Sequence, residues 1–102
     1  MALQIKYTTT SGITLDKAYC KVVRIDELDV VNKYIRGQGF VYKDKQAKID
    51  NLDCVTNFVF EERDPATFDQ YFSNTALTET TLLEAIYAYL KTRPEFSKST
   101  DV

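Results

Sequence analysis

The sequence predicts an α+β fold: a mostly antiparallel β-sheet of four to five strands with one C-terminal amphipathic helix. Three observations carry this expectation. Apolar and polar residues alternate with period two through most of Leu3 to Glu62, the pattern of half-buried strands. After Thr78 the period changes to that of a helix. The connections between strand-like stretches are too short for the crossover helices that parallel pairing needs. A chain of 102 residues buries somewhat over ~60% of its unfolded surface, enough for one modest core. A single domain over 1–96 is expected, with 97–102 as a flexible polar tail.

The elements follow in order. Leu3-Gln4-Ile5-Lys6-Tyr7 alternates as a strand, and the threonines, Ser11 and Gly12 lead it into a turn. Ile13 to Ile25 is strand-like again, with Ala18, Cys20 and Val22 on one face and Tyr19, Val23 and Ile25 on the other beside Lys21. Asp26-Glu27 makes a polar break. Leu28 to Arg36 resumes with β-branched residues. Gly37-Gln38-Gly39 then reads as the turn of a hairpin spanning 28–45, because glycine supplies positive φ without cost. Asp50-Asn51 tolerates turn geometry. Leu52 to Glu62 carries large apolar groups on both faces, which predicts a central strand. Residues 66–74 fit a helical turn and a short edge strand equally. Thr81 and Glu84 have the spacing of a capping box, and Leu82, Leu83, Ile86, Tyr87, Tyr89 and Leu90 cover one arc of a helix over about 80–92. Pro94 stops that helix and drives Arg93 out of helical geometry. One three-turn helix cannot cover both faces of the sheet. The surplus apolar surface must be hidden by curling of the sheet or by a neighbouring subunit.

The chemistry is sparse. No His is present, so the commonest general base and metal ligand are both missing, and no Ser-His or Cys-His pair can form within the chain. The acidic pairs Asp26-Glu27 and Glu61-Glu62 face opposite sides of their strands and read as solvated strand ends. Gly37-Gln38-Gly39 lacks the rest of a phosphate-cradling fingerprint. Asp44 and Asp50 interrupt the lysines at 43, 45 and 48, a solvated edge rather than a phosphate track. Cys20 and Cys54 read as buried free thiols, the alternative being one bridge between adjacent strands. No enzyme, cofactor, metal or small-molecule substrate is expected. A formal charge of -2 excludes the basic footprint of a nucleic-acid binder. No apolar run is long enough to span a bilayer, and the opening MALQIKYTTT has no apolar core of a secretory leader. The compositional excess is aromatic, seven Tyr and six Phe. Phe40, Phe58, Phe60 and Phe68 are assigned to the core, while Tyr19, Tyr34, Tyr42 and Tyr71 divide between core and interface.

Two runs carry a family resemblance. One is Ser11-Gly12-Ile13-Thr14-Leu15-Asp16-Lys17-Ala18-Tyr19-Cys20-Lys21-Val22; the other is Thr81 to Phe96, TLLEAIYAYLKTRPEF. Together they resemble small structural proteins of tailed bacteriophages, encoded among tail genes. There a similar opening, a β meander and an "A-Y-x-Y-L-K-T-x-P-E-F" ending recur over about the same length. The resemblance implies a non-enzymatic virion component of the tail, baseplate or fibre-attachment region, assembled in the host cytoplasm into a ring. Its partners would be copies of itself and other phage structural proteins. The rival class is a cytoplasmic phage-encoded binding module, an inhibitor or assembly chaperone that occludes a protein partner. A free first strand and an exposed hairpin are the natural connectors. The expected contact residues are therefore Leu3, Ile5 and Tyr7, with Gly37, Gly39, Phe40 and Tyr42.

Overall fold

The computed structural model describes residues 1–78 and 80–102. Five strands form one antiparallel sheet: β1 Leu3–Thr8, β2 Thr14–Asp29, β3 Tyr34–Tyr42, β4 Thr56–Glu62 and β5 Thr100–Asp101. Their order across the sheet is β4-β3-β2-β1-β5. Among the described residues there are three α-helices, α1 Lys45–Ile49, α2 Pro65–Phe72 and α3 Leu82–Leu90, and a 3₁₀ turn at Pro94–Phe96. The α+β class and the antiparallel sheet stand as expected. The single helix does not, because α1 and α2 are too short to impose a readable period.

The hairpin turn lies elsewhere than the glycines suggest. β2 and β3 pair from Tyr19 opposite Tyr42 to Asp29 opposite Tyr34, so the chain reverses at Val30–Lys33. The Asp29 carboxylate builds that turn by accepting from the Val31 amide at 3.0 Å and the Asn32 amide at 2.9 Å. Lys33 takes the left-handed conformation with φ 57°. Gly37 and Gly39 sit mid-strand, opposite Phe60 and Phe58 of β4. The two rings lie over the glycines, and a Cβ on Gly37 would also come 2.6 Å from the Arg24 carbonyl oxygen. These glycines are there for close packing, not for a turn.

Three more expectations change. β4 is an edge strand rather than a central one. Phe60 is buried, but Val59 on the other face is 54% exposed. β1 is not wholly free, since β5 pairs with its first two residues, Leu3 and Gln4, on the side away from β2, and Leu3 is fully buried. The 97–102 segment is tied down through β5 and through the Val102 amide, which donates to the Ala2 carbonyl at 3.0 Å.

The helices account for most of the apolar surplus. Asp64 caps α2 by accepting from the Thr67 amide and hydroxyl, and Pro65 opens it. Phe68 and Phe72 of α2 pack on the sheet, and Phe72 also meets Tyr89 at a centroid distance of 5.6 Å. Thr81 caps α3, accepting from the Glu84 amide at 3.1 Å. Ala85, Ile86, Tyr87, Tyr89 and Leu90 are buried beneath it. Arg93 is extended, as Pro94 requires, and Phe96 then folds back on Phe58. On the opposite face α1 covers a second, small cluster of Ala2, Tyr19, Tyr42 and Ala47.

Cys20 belongs to the main core and Cys54 packs against the second cluster, so the sheet separates the two thiols and rules out a bond between them. Burial pushes the Cys20 thiol up to about 12, far from thiolate formation at neutral pH. Alkylation of native protein at pH 8 should therefore leave Cys20 unmodified and label the half-buried Cys54 first. Labelling of Cys20 before global unfolding would place it outside the core.

Ile86→Ala and Leu90→Ala should each cost ~2–5 kcal/mol in denaturant titrations, with Leu83→Ala within about 0.5 kcal/mol of wild type. Gly39→Ala should cost about 1–3 kcal/mol through overpacking against Phe58. Equal effects of the Leu83 and Leu90 substitutions would mean that α3 docks on a different face.

Candidate interaction surface

β1 is shorter than the strand it accompanies. It pairs with residues 14–20 of β2, and beyond them no described strand lies on that side. The ladder ends at a side chain. The Tyr87 hydroxyl accepts from the Val22 amide at 2.8 Å and donates to the Met1 carbonyl at 3.1 Å. The register that sets Leu3 opposite Cys20 would set Met1 opposite Val22. Tyr87 thus takes the place of a main-chain bond and holds the strand ends one hydroxyl apart. Burial raises the phenol above its ordinary range, so it remains a neutral donor.

From Val22 to Asp29, β2 is an open edge, and it is irregular. The register with β3 shifts between Val22 and Arg24 and again between Ile25 and Glu27, two β-bulges within one short stretch. The bulges reset which residues share a face. Val22, Ile25 and Leu28 stand opposite Gly39, Gly37 and Ile35 on the helix-covered side, while Arg24 and Glu27 stand opposite Gln38 and Arg36 on the outer side. Ile25 therefore changes face from the sequence expectation. Val23, Ile25 and Leu28 are 45%, 38% and 40% exposed, and Val30 and Val31 at the turn are exposed further. Charges guard the same edge: Arg24 pairs with Asp26 at 2.6 Å, and Gln38 donates to the same carboxylate at 3.1 Å.

The outer face beside this edge is polar. Glu27, Arg36 and Glu61 form one cross-strand row. Hydrogen bonds from Arg63 and then Tyr34 hold Glu61 below the usual carboxylate range, and the Arg63 guanidinium lies 4.5 Å from the centre of the Tyr34 ring. Among the described residues no three His, Cys, Asp or Glu side chains gather as a metal site, and no helix is long and apolar enough to cross a membrane.

The residues expected to make contacts are largely committed within the chain. Leu3 is fully buried, and Ile5 and Tyr7 are half-buried against the core. Gly37 and Gly39 lie under the Phe60 and Phe58 rings. Tyr42 is buried in the second cluster, with Phe40 half-buried beside it. The edge residues Val23, Arg24, Ile25, Glu27 and Leu28 were not singled out by sequence reasoning. The signal for them is a mismatch of lengths, a short first strand beside a second that runs on past Ile25. No protein-family model, curated protein or solved structure matches the chain.

Tyr87→Phe removes a buried donor-acceptor and leaves the Val22 amide without its partner. It should cost about 1–3 kcal/mol and speed hydrogen exchange at Val22 more than at Cys20. Unchanged exchange at Val22 would show that the hydroxyl does not close the ladder.

Proposed function

We propose that this chain is a non-enzymatic structural component of a tailed-phage particle, joined to neighbouring protein through the open stretch of β2. The observation that carries the reading is that stretch itself, an unpaired strand edge flanked by exposed apolar side chains in a chain that otherwise covers its core. Unpaired main-chain groups give affinity through strand addition, and the side chains beside them give specificity. The bulges and charges on the edge suppress indiscriminate pairing and leave room for a matched partner. The placement in a virion, at the tail, baseplate or fibre base, comes from the resemblance of the opening and closing runs to phage tail-region proteins.

A second reading uses the same edge. Because α1, α2 and α3 complete the core within one chain, a free binding module that occludes a single phage or host protein would also be stable.

Mass spectrometry of purified particles of the encoding phage separates the two. The structural reading expects the chain at a fixed copy number relative to the tail proteins. Ile25→Asp should fold normally yet be depleted from particles at least tenfold. Absence of the wild-type chain from particles would leave the binding module as the function, and normal incorporation of the Ile25 variant would remove the β2 edge from the contact.

A further inference from the structure

We infer that a groove beside the first strand docks an extended segment of another polypeptide, one in which an aromatic side chain adjoins acidic residues. The groove shares no residue with the open stretch of β2 and adds a second contact to the proposed function.

The groove exists because β5 accompanies β1 for two residues only, Leu3 and Gln4. Continued, that register would set Ser99 opposite Ile5 and Lys98 opposite Lys6. The Ser99 amide instead donates to the Phe96 carbonyl at 3.0 Å, which curls the chain away from the strand. A gap is left between Ile5 and Lys6 on one side and Pro94, Glu95, Ser97 and Lys98 on the other. Beyond Gln4 no described strand pairs with the outer side of β1, so its main-chain groups there are open to an added segment.

Glu95 also lines a neighbouring cavity of about 200 Å³. Its walls include Tyr7, Phe58, Phe60, Leu90 and Phe96, and Arg93 joins Glu95 as its charged lining. A dry cavity of ~150 Å³ holds one benzene ring, whereas sites for free small molecules run to ~300–1,000 Å³. The size therefore suits one side chain, delivered by a segment that lies in the gap beside it. Aromatic walls favour a ring, which gains edge-on contacts of the kind Phe58 and Phe96 already make at 5.1 Å.

Charge selects the rest of the segment. Lys6, Lys98 and Arg93 border the groove against a single carboxylate, Glu95, on a chain whose formal charge is -2. Lys6 and Lys98 are exposed, and neither makes an ion pair among the described residues. Arg93 donates to the Tyr89 hydroxyl but comes only within 3.8 Å of Glu95, longer than the ~2.7–2.9 Å of a charge-assisted hydrogen bond. This excess of cations calls for acidic residues next to the ring and repels a basic segment.

Two capped peptides, acetyl-Phe-Asp-Glu-Asp-amide and acetyl-Asp-Glu-Asp-Phe-amide, test this against the full chain by NMR titration. At low salt, where surface charges are least screened, at least one of them should saturably shift the amide resonances of Tyr7, Phe96 and Lys98. Replacing the peptide's Phe by Ala should weaken binding about tenfold or more, and so should Lys6→Glu combined with Lys98→Glu in the protein. Both lysines are exposed, so the double variant should keep its native spectrum away from the groove. The absence of saturable shifts with either peptide would overturn the inference. Equal binding of acetyl-Phe-Lys-Arg-Lys-amide would do the same, as would binding indifferent to the lysine reversal. Phenylacetate bound as tightly as the peptides would make the cavity a small-molecule site and overturn segment docking. Depletion of the Ile25 variant from particles is read separately and bears only on the β2 edge.

Discussion

The Tyr87 hydroxyl stands between Met1 and Val22 where a main-chain hydrogen bond would otherwise extend the β1–β2 ladder, and the docking of α3 puts it there. Two residues on, Tyr89 points the other way, because two helical positions turn by about 200°. Its hydroxyl donates to the Glu61 carbonyl of β4 at 3.3 Å and accepts from Arg93 at 2.9 Å. The helix is therefore pinned to both sides of the sheet by two phenols, with Ile86 and Leu90 buried between them. Apolar burial supplies most of the docking energy, but it is non-directional. The hydroxyls fix the angle of the helix, and Tyr87 joins the ends of the two strands at Met1 and Val22.

A second constraint acts within the sheet. Phe58 and Phe60 lie across the core face of β3, and only glycine at 37 and 39 leaves room for their rings. The rings in turn carry Phe96 and the end of the chain, since Phe96 packs edge-on to Phe58 at 5.1 Å. The glycines also admit the Lys21 and Arg24 carbonyls close to β3, at the positions where β2 is bulged. Ring packing on one side of β3 and irregularity on the other thus share the same two residues.

What the sequence shows of this fold follows from how local each signal is. The α3 helix, its Thr81 cap and its stop at Pro94 are legible because propensity, capping and period agree within one short run. The strands are legible as strands, but their neighbours are not, because pairing partners lie far apart in the chain. Gly37 and Gly39 mislead for this reason. A glycine needed by a ring on another strand looks the same as one needed by a turn. Val30 and Val31 mislead in the opposite sense, since β-branched residues are poor turn formers and the turn is imposed by the Asp29 carboxylate. The contact residues inferred from strand 1 rest on the premise that it is unpaired, and β5 alters that premise at Leu3 and Gln4. Ile25 lies on the wrong face in any period-two reading, because no local pattern announces a bulge.

The bulges then explain how one edge can be both guarded and available. A flat, regular edge of this length with Val23, Ile25 and Leu28 beside it would pair with any exposed strand. Two insertions within eight residues bend it away from that general solution, and Arg24, Asp26 and Glu27 add charges that a random partner leaves unmatched. A substitution that straightened β2 would remove that restriction and widen the range of strands able to pair with the edge.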